Sequence, residues 1–448
     1  MGLGLHGGGN GVIRFLADAG AKVTVTDLKS EKELSGSLEK LSNLKNIVFI
    51  LNQHRPEDFS QTDLVIKNPA VPWTNKYIQL ARKNNIPVEM DSSLFFKLCK
   101  NKIIGVTGTR GKTTTASLIY EILRSAGKNP LKVGIGQVSV LDKLQELKND
   151  SVVVFELSSW RLSALGRAKL SPEIAVLTNI FQDHLNYYAN MDEYFQDKKY
   201  IFASQKKSDF CVLNWDDERL NKLESQVNSQ LIKFSKNKLE ADSSIYISAG
   251  VIYANWNNKE EKIMELAEIT LKGAHNLSNI LASIGAAKAL GISAESIRKG
   301  ILAFRGLPHR LEFVRELDGV NYYNDTAATS PDGAISSLNS FTEKLVLLVG
   351  GSDKNLDMKD LAKAIKNKTD RVIFLEGIGT DKLIAELRNL GEMENFTVAD
   401  SMEKAVALAR DLAKAGDVVL LSPGTASFGL FVNEFDRGDK FKLAVNNL

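Results

Sequence analysis

The stretch Ile103-Ile104-Gly105-Val106-Thr107-Gly108-Thr109-Arg110-Gly111-Lys112-Thr113-Thr114-Thr115 constrains this chain more than any other. An apolar, largely β-branched run leads into a turn of Gly and Thr. The apolar spacing of Ala116 to Leu123 then suits a helix. Strand, glycine turn, Lys-Thr and helix together make a phosphate site. Backbone N–H groups point into the turn, and the helix N-terminus adds positive potential. Lys112 can reach terminal phosphates, and the Thr113 hydroxyl can ligate Mg²⁺. The spelling departs from the usual loop at Val106, where a glycine is expected. These residues predict a nucleotide site on an α/β scaffold.

Other apolar runs place polar groups at their ends. Val152 to Phe155 delivers Glu156, and Ile174 to Asn179 is followed by Ile180-Phe181-Gln182-Asp183-His184. Ligands of open parallel sheets gather at strand C-termini, so Glu156, Asp183 and His184 are candidates to face the same phosphates. A hard cation such as Mg²⁺ would take Thr113, Glu156 and phosphate oxygens. The segment Gly273 to Ala289 reads as a helix, and its Asn residues suit either capping or reading a base edge.

The chain starts on glycines 2, 4, 7, 8, 9 and 11, followed by a helix over Val12–Ala19 and a strand over 22–27 ending in Asp27. That acid is placed to accept hydrogen bonds from a ribose or base, and a dinucleotide site is the other reading. A strand should precede the glycines, so it is either very short or missing here. Further short strands are expected near 47–50, 63–67 and 86–90. After Leu307-Pro308-His309-Arg310, strands near 322, 345–349, 371–375 and 418–421 alternate with helices, as in a Rossmann-like sheet. The charged span 216–262 reads as exposed surface.

A length of 448 residues suits two to four domains. The net charge of +3 mixes both signs, which argues against nucleic acid as a partner. Apolar runs are too short for a membrane span. Cys99 and Cys211 read as reduced thiols of a cytoplasmic protein.

Taken together, Gly105–Thr115, Glu156-Leu157-Ser158-Ser159, Thr178–Leu185, His275-Asn276, Gly306–Arg310, Asn324-Asp325 and Gly438 resemble the Mur ligase superfamily, the ATP-dependent amino-acid ligases of peptidoglycan synthesis. The resemblance covers the whole chain. It looks strongest to the members that add glutamate to UDP-N-acetylmuramoyl-L-alanine, through Leu307–Arg310, Ser422–Phe428 and Phe435–Gly438.

This likeness implies an α/β, three-domain Mur ligase architecture. A Rossmann-like UDP-substrate domain would span 1–100, a central P-loop ATPase domain 101–306, and a Rossmann-like amino-acid domain 307–448. It implies ATP contacts from Thr107, Gly108, Thr109, Arg110, Gly111, Lys112, Thr113, Thr114, Asn276, Asn279, Arg310 and Asp325. Two Mg²⁺ sites would use Thr113, Glu156, His184 and a carbamylated Lys198, with Lys199 adjacent. Lys112, Glu156, His184 and Lys198 would carry the catalysis.

Gly4, Leu5, His6 and Asp27 would hold the UDP-sugar, displacing the dinucleotide reading. Thr329, Lys354, Ser427 and Phe428 would hold glutamate. A cytoplasmic monomer acting on small molecules is implied. Three departures stand out. Asp325-Thr326-Ala327-Ala328-Thr329 lacks the usual lysine, Val133–Gln137 lacks an Asn, and Asn433-Glu434-Phe435 shifts an aromatic. The first and third leave D- and L-glutamate both open.

Overall fold

The apolar runs become strands of parallel sheets. A computed structural model describes the chain except residues 5, 6, 137, 184–186, 270, 272, 354, 355, 370 and 392–396. It divides into two compact units, one of residues 1–268 and 277–303, the other of 269–276 and 304–448.

In the first unit, β1 (Val23–Thr26) pairs in parallel with β2 (Ile47–Ile50), and β3 (Val65–Ile66) with β4 (Val88–Glu89). Between the two pairs run Met1 and Gly2. Gly2 N–H donates to the Thr26 carbonyl at 2.8 Å, and Asn68 N–H donates to the Met1 carbonyl at 2.9 Å. Met1 and Gly2 are thus hydrogen-bonded on both sides without forming a strand. Helix α1 (Gly8–Asp18) starts earlier than the expected Val12. Gly9 explains the difference: a Cβ there would lie 2.1 Å from the Leu3 carbonyl oxygen, so only glycine lets the helix begin against the first residues.

The larger sheet of this unit contains β5 (Lys102–Thr107), β6 (Asn129–Val133), β7 (Ser151–Glu156), β8 (Ile174–Leu177), β9 (Phe210–Asn214), β10 (Gln230–Ser235), β11 (Ser243–Ser248), β12 (Val251–Trp256) and β13 (Lys259–Glu265). Their order is β13-β12-β11-β10-β9-β8-β5-β7-β6. Strands β5 to β11 are parallel, and β12 and β13 close the edge as antiparallel hairpins.

The reading of 216–262 as exposed surface is therefore corrected. Ile232, Phe234, Ile245, Ile252 and Ala254 of that span are fully or almost fully buried. The charges sit on the outer part of an edge strand, where Lys259 to Lys262 are exposed while Ile263 and Met264 turn inward. The helix Lys112–Ser125 buries Leu118, Ile119, Ile122 and Leu123. Each such side chain contributes about 1.5–3 kcal/mol.

The second unit holds β14 (Glu312–Leu317), β15 (Val320–Asn324), β16 (Leu345–Val349), β17 (Arg371–Leu375), β18 (Thr397–Ala399) and β19 (Val418–Leu421). The order is β14-β15-β19-β16-β17-β18, parallel except for β14. All five residues of β16 are buried, as a central parallel strand requires. Cys99 and Cys211 are free thiols. Among the described residues, no helix is long and apolar enough to cross a membrane.

Candidate active site

Strand β5 lies between β7 and β8, where strand order reverses, which is the ligand position of an open parallel sheet. Its end supplies the phosphate loop. Gly108 (φ 151°) and Gly111 (φ 81°) have positive φ, and a Cβ on either would collide, with Thr178 Oγ1 at 1.9 Å and with Asn279 Oδ1 at 2.2 Å. The loop is pinned from β8. Thr109 N–H donates to the Asn179 carbonyl at 2.9 Å, Arg110 N–H to Asn179 Oδ1 at 2.8 Å, and Thr178 Oγ1 to the Arg110 carbonyl at 2.7 Å. Gly111 caps the helix Lys112–Ser125, whose first turn carries Thr113 and Thr114, both half-buried.

Two lysines converge on this loop. Lys112 Nζ donates to the carbonyls of Gly108 (3.1 Å) and Thr109 (3.0 Å). Lys198 is 1% exposed, and its Nζ donates to the Gly108 carbonyl at 2.8 Å and to Thr107 Oγ1 at 3.4 Å. Burial, and then the Lys112 charge, hold the Lys198 ammonium well below the ordinary lysine range. Lys199 takes another direction, over the Phe195 ring.

Glu156 ends β7, in register with Val106 of β5, and acts electrostatically on Lys198. Its Oε2 is buried and has no hydrogen-bond partner. A buried carboxylate oxygen without a donor suits a cation. Thr113 and Glu156 therefore fit a Mg²⁺ position. Among the described residues, no group of three His, Cys, Asp or Glu forms a metal cluster. The expected set does not consist of such residues alone, and its His184 lies outside the described residues.

Asn279 is buried, accepts from Thr115 Oγ1 at 3.3 Å, and abuts Gly111 of the loop. Asn276, three residues earlier, is buried within the second unit. In the N-terminal turn, Asp27 is buried and accepts from the N–H groups of Gly4 (3.2 Å) and Lys29 (3.0 Å). Leu5 and His6 lie outside the described residues, as does Lys354.

In the second unit, Asp325 follows β15 and accepts from Leu311 N–H (3.1 Å), Ser422 Oγ (3.0 Å) and Ser337 Oγ. Arg310 is exposed, between His309 (φ 67°) and Leu311 (φ 42°), both in left-handed backbone without being glycine. Ser427 is buried, Phe428 is exposed, and Thr329 is half-buried just before the helix Pro331–Leu338. Asn433 caps the C-terminal helix Glu434–Asn446, and Phe435 stands edge-on to His309 at 5.5 Å.

Burial pushes the Asp325 carboxyl up to about 6, against its hydroxyl and N–H donors. The folded chain then holds this proton more tightly than an unfolded Asp near 3.8. Stability falls as pH rises from about 4 to about 6 and stays lower above that. Asp325→Asn is expected to flatten this segment of the stability curve, as read by urea unfolding at pH 4, 5, 6 and 7. An unchanged slope excludes Asp325 as its source.

Sequence reasoning gave no role to Arg437, which is fully buried. Its guanidinium donates to Thr326 Oγ1 (2.9 Å), the Thr326 carbonyl (3.0 Å) and the Ala426 carbonyl (3.2 Å). It ties the turn after Asp325 to the loop before Ser427. Burial brings its pKa down to about 10. Tyr194 was also missed. It is buried, with its hydroxyl 3.1 Å from Thr109 Oγ1 of the phosphate loop.

Sequence models of three domains match in order: a Mur ligase MurD-like N-terminal domain over 1–89, a Mur ligase middle domain over 106–287, and a Mur ligase glutamate ligase domain over 309–424. A UDP-N-acetylmuramoylalanine–D-glutamate ligase of Roseiflexus sp. (strain RS-1) is 41% identical, across 100% of this chain and 97% of that protein. The chain belongs to the Mur ligase family. Proteins of the same name from Pelotomaculum thermopropionicum and Geobacillus kaustophilus are each 38% identical to this Mur ligase over its full length and 97% of theirs.

Among solved structures, the UDP-N-acetylmuramate–alanine ligase MurC of Thermotoga maritima superposes with a TM-score of 0.59 at 21% identity, covering 99% of this chain and 98% of that one. The MurF ligase of Thermotoga maritima, solved with ADP, gives 0.58 at 17%, covering 95% of each. At these identities the two structures speak for the fold alone.

Proposed function

We propose that this Mur ligase joins D-glutamate to UDP-N-acetylmuramoyl-L-alanine at the expense of ATP, a cytoplasmic step of peptidoglycan precursor synthesis. The observation that carries this reading is the convergence of Lys112 and Lys198 on the Gly108 carbonyl at the switch-point strand. The Lys112 ammonium at a glycine-rich loop suits a transferring phosphoryl group, and the buried Lys198 beside it suits a further ligand position. The names of the 38–41% identical relatives support the substrates.

A carboxylate oxygen of the alanine attacks the γ-phosphorus, and ADP leaves. The glutamate amine attacks the resulting acyl phosphate, the tetrahedral intermediate expels phosphate, and the nitrogen loses a proton. Lys112 and the loop N–H groups hold the transferring phosphoryl oxygens. Burial shifts Lys198 toward the neutral amine, the form that combines with CO₂ to give a carbamate and a proton. Thr113, Glu156 and that carbamate, with His184, would hold Mg²⁺, which when bound neutralises phosphate charge.

Arg310, Asp325 and Asn276 are assigned to ATP, Asn279 to the loop beneath it, and Thr329, Lys354, Ser427 and Phe428 to glutamate. Gly4, Leu5, His6 and Asp27 are assigned to the UDP-sugar. The three blocks 1–100, 101–306 and 307–448 correspond to UDP-substrate, ATP and amino acid in this reading.

The lysine lost at Ala327 makes the amino acid the point to test. Purified protein with UDP-N-acetylmuramoyl-L-alanine and Mg·ATP is expected to release phosphate with D-glutamate and not with L-glutamate. Turnover with L-glutamate alone would reverse the stereochemistry. ATP binding without amino-acid-dependent phosphate release would mark a non-catalytic nucleotide-binding protein.

A further inference from the structure

His309 and Leu311 set a condition on the residue between them. Both hold left-handed backbone without being glycine, and Arg310 is the exposed arginine they flank. Such backbone persists only where the surroundings over-determine it. The surroundings here are a hairpin. Strand β14 opens on Glu312, β15 ends on Asn324, and the register sets these two residues opposite each other.

Glu312 Oε2 takes two donors from this turn, His309 N–H at 2.8 Å and Asn324 Nδ2 at 3.0 Å. Asn324 is fully buried, and its Nδ2 also lies 3.2 Å from His309 Nδ1. Its Oδ1 accepts from Thr326 N–H at 3.2 Å, which fixes the way the amide faces. His309 Nδ1 is then an acceptor and the imidazole is neutral. Burial, and next the Lys442 charge, hold this histidine below its ordinary range, the direction the bond needs. Gly438 completes the seat, since a Cβ there would collide with His309 Nδ1. The His309 carbonyl accepts from Ala327 N–H at 3.0 Å, and Leu311 N–H donates to Asp325 Oδ1 at 3.1 Å. The backbone on both sides of Arg310 is therefore tied down, while its side chain stands exposed.

We propose that Glu312 and Asn324 are positioning residues for Arg310: they lock His309, and so fix the direction in which the arginine leaves the chain. The proposal rests on the assignment of Arg310 to ATP. Neither residue has to touch the nucleotide, because the bonds described here are spent inside the turn. What they supply is preorganisation. An arginine whose backbone is already fixed loses less freedom on binding, and the saving appears as affinity.

The test is a double-mutant cycle in the full chain, read as the KM for ATP. Glu312→Ala is expected to raise that KM about tenfold, with the KM for UDP-N-acetylmuramoyl-L-alanine unchanged. Glu312→Gln keeps an oxygen that accepts from both donors and loses only the charge facing Lys442, so it is expected to recover most of the affinity. In an Arg310→Ala background, Glu312→Ala is expected to add nothing, because residues that act through one group are not additive. Asn324→Ala is taken through the same cycle with the same expectation. Additive losses would overturn the proposal and leave Arg310 with ATP. Equal KM values for ATP in Glu312→Ala and Glu312→Gln would overturn it as well, since shape would then not matter. An unchanged KM for ATP in Arg310→Ala would instead remove Arg310 from the nucleotide, and the positioning role with it.

Discussion

Lys112→Ala is expected to lower kcat by about 10²–10³-fold, with the thermal midpoint nearly unchanged. The magnitude follows from removing one preorganised charge from a developing anion, which costs about 10²–10³ in kcat where such groups have been deleted. The fold should survive because the loop has independent supports. Gly108 and Gly111 fit against Thr178 and Asn279, and Asn179 pins Thr109 and Arg110. Lys112→Arg keeps the charge but changes its shape and is expected to recover only part of the rate. Rapid-quench phosphate release with saturating ATP, alongside near-UV circular dichroism, separates lost chemistry from lost structure. A near-normal kcat in Lys112→Ala would remove ATP from this loop.

The phosphate loop was legible because its chemistry requires backbone shapes that few sequences permit. Gly108 and Gly111 occupy positive φ with a side chain pressed against each, so the residue type and the geometry carry the same information. The strand ends were legible for a related reason. An apolar run that stops at Glu156 or Asp325 tells where the sheet ends and what stands there.

What escaped the sequence was decided by tertiary partners. Strand β13, Lys-Glu-Glu-Lys-Ile-Met-Glu, reads as a charged loop because five of its seven residues face solvent, and β12 pairs with it regardless of that charge. Glycines 8, 9 and 11 read as turn, yet they are helical because Gly9 lies under the Leu3 carbonyl. Arg437 escaped because an arginine is expected at the surface, whereas this one spends its donors on carbonyls of two loops.

Lys198→Ala is expected to abolish turnover nearly as completely, and the loss should differ in kind, because a short carboxylic acid can restore part of it. The sequence offered Lys198 and Lys199 side by side. Their environments are opposite: Lys198 is buried against the Gly108 carbonyl and Thr107 hydroxyl, and Lys199 lies over Phe195. Burial, and then the Lys112 charge, lower the Lys198 pKa, which favours the neutral amine that takes up CO₂. If a carbamate at this position serves as a carboxylate, acetate diffusing into the space left by Lys198→Ala supplies the same oxygens. Activity should then rise with acetate concentration, while Lys199→Ala stays close to the unaltered enzyme in its absence. If Lys198 instead acts as an ammonium that shields phosphate, methylamine and not acetate should rescue. Rescue by methylamine alone would overturn the carbamate while leaving Lys198 in the site, because a carboxylate that holds a metal and an ammonium that shields phosphate make opposite demands on the added molecule.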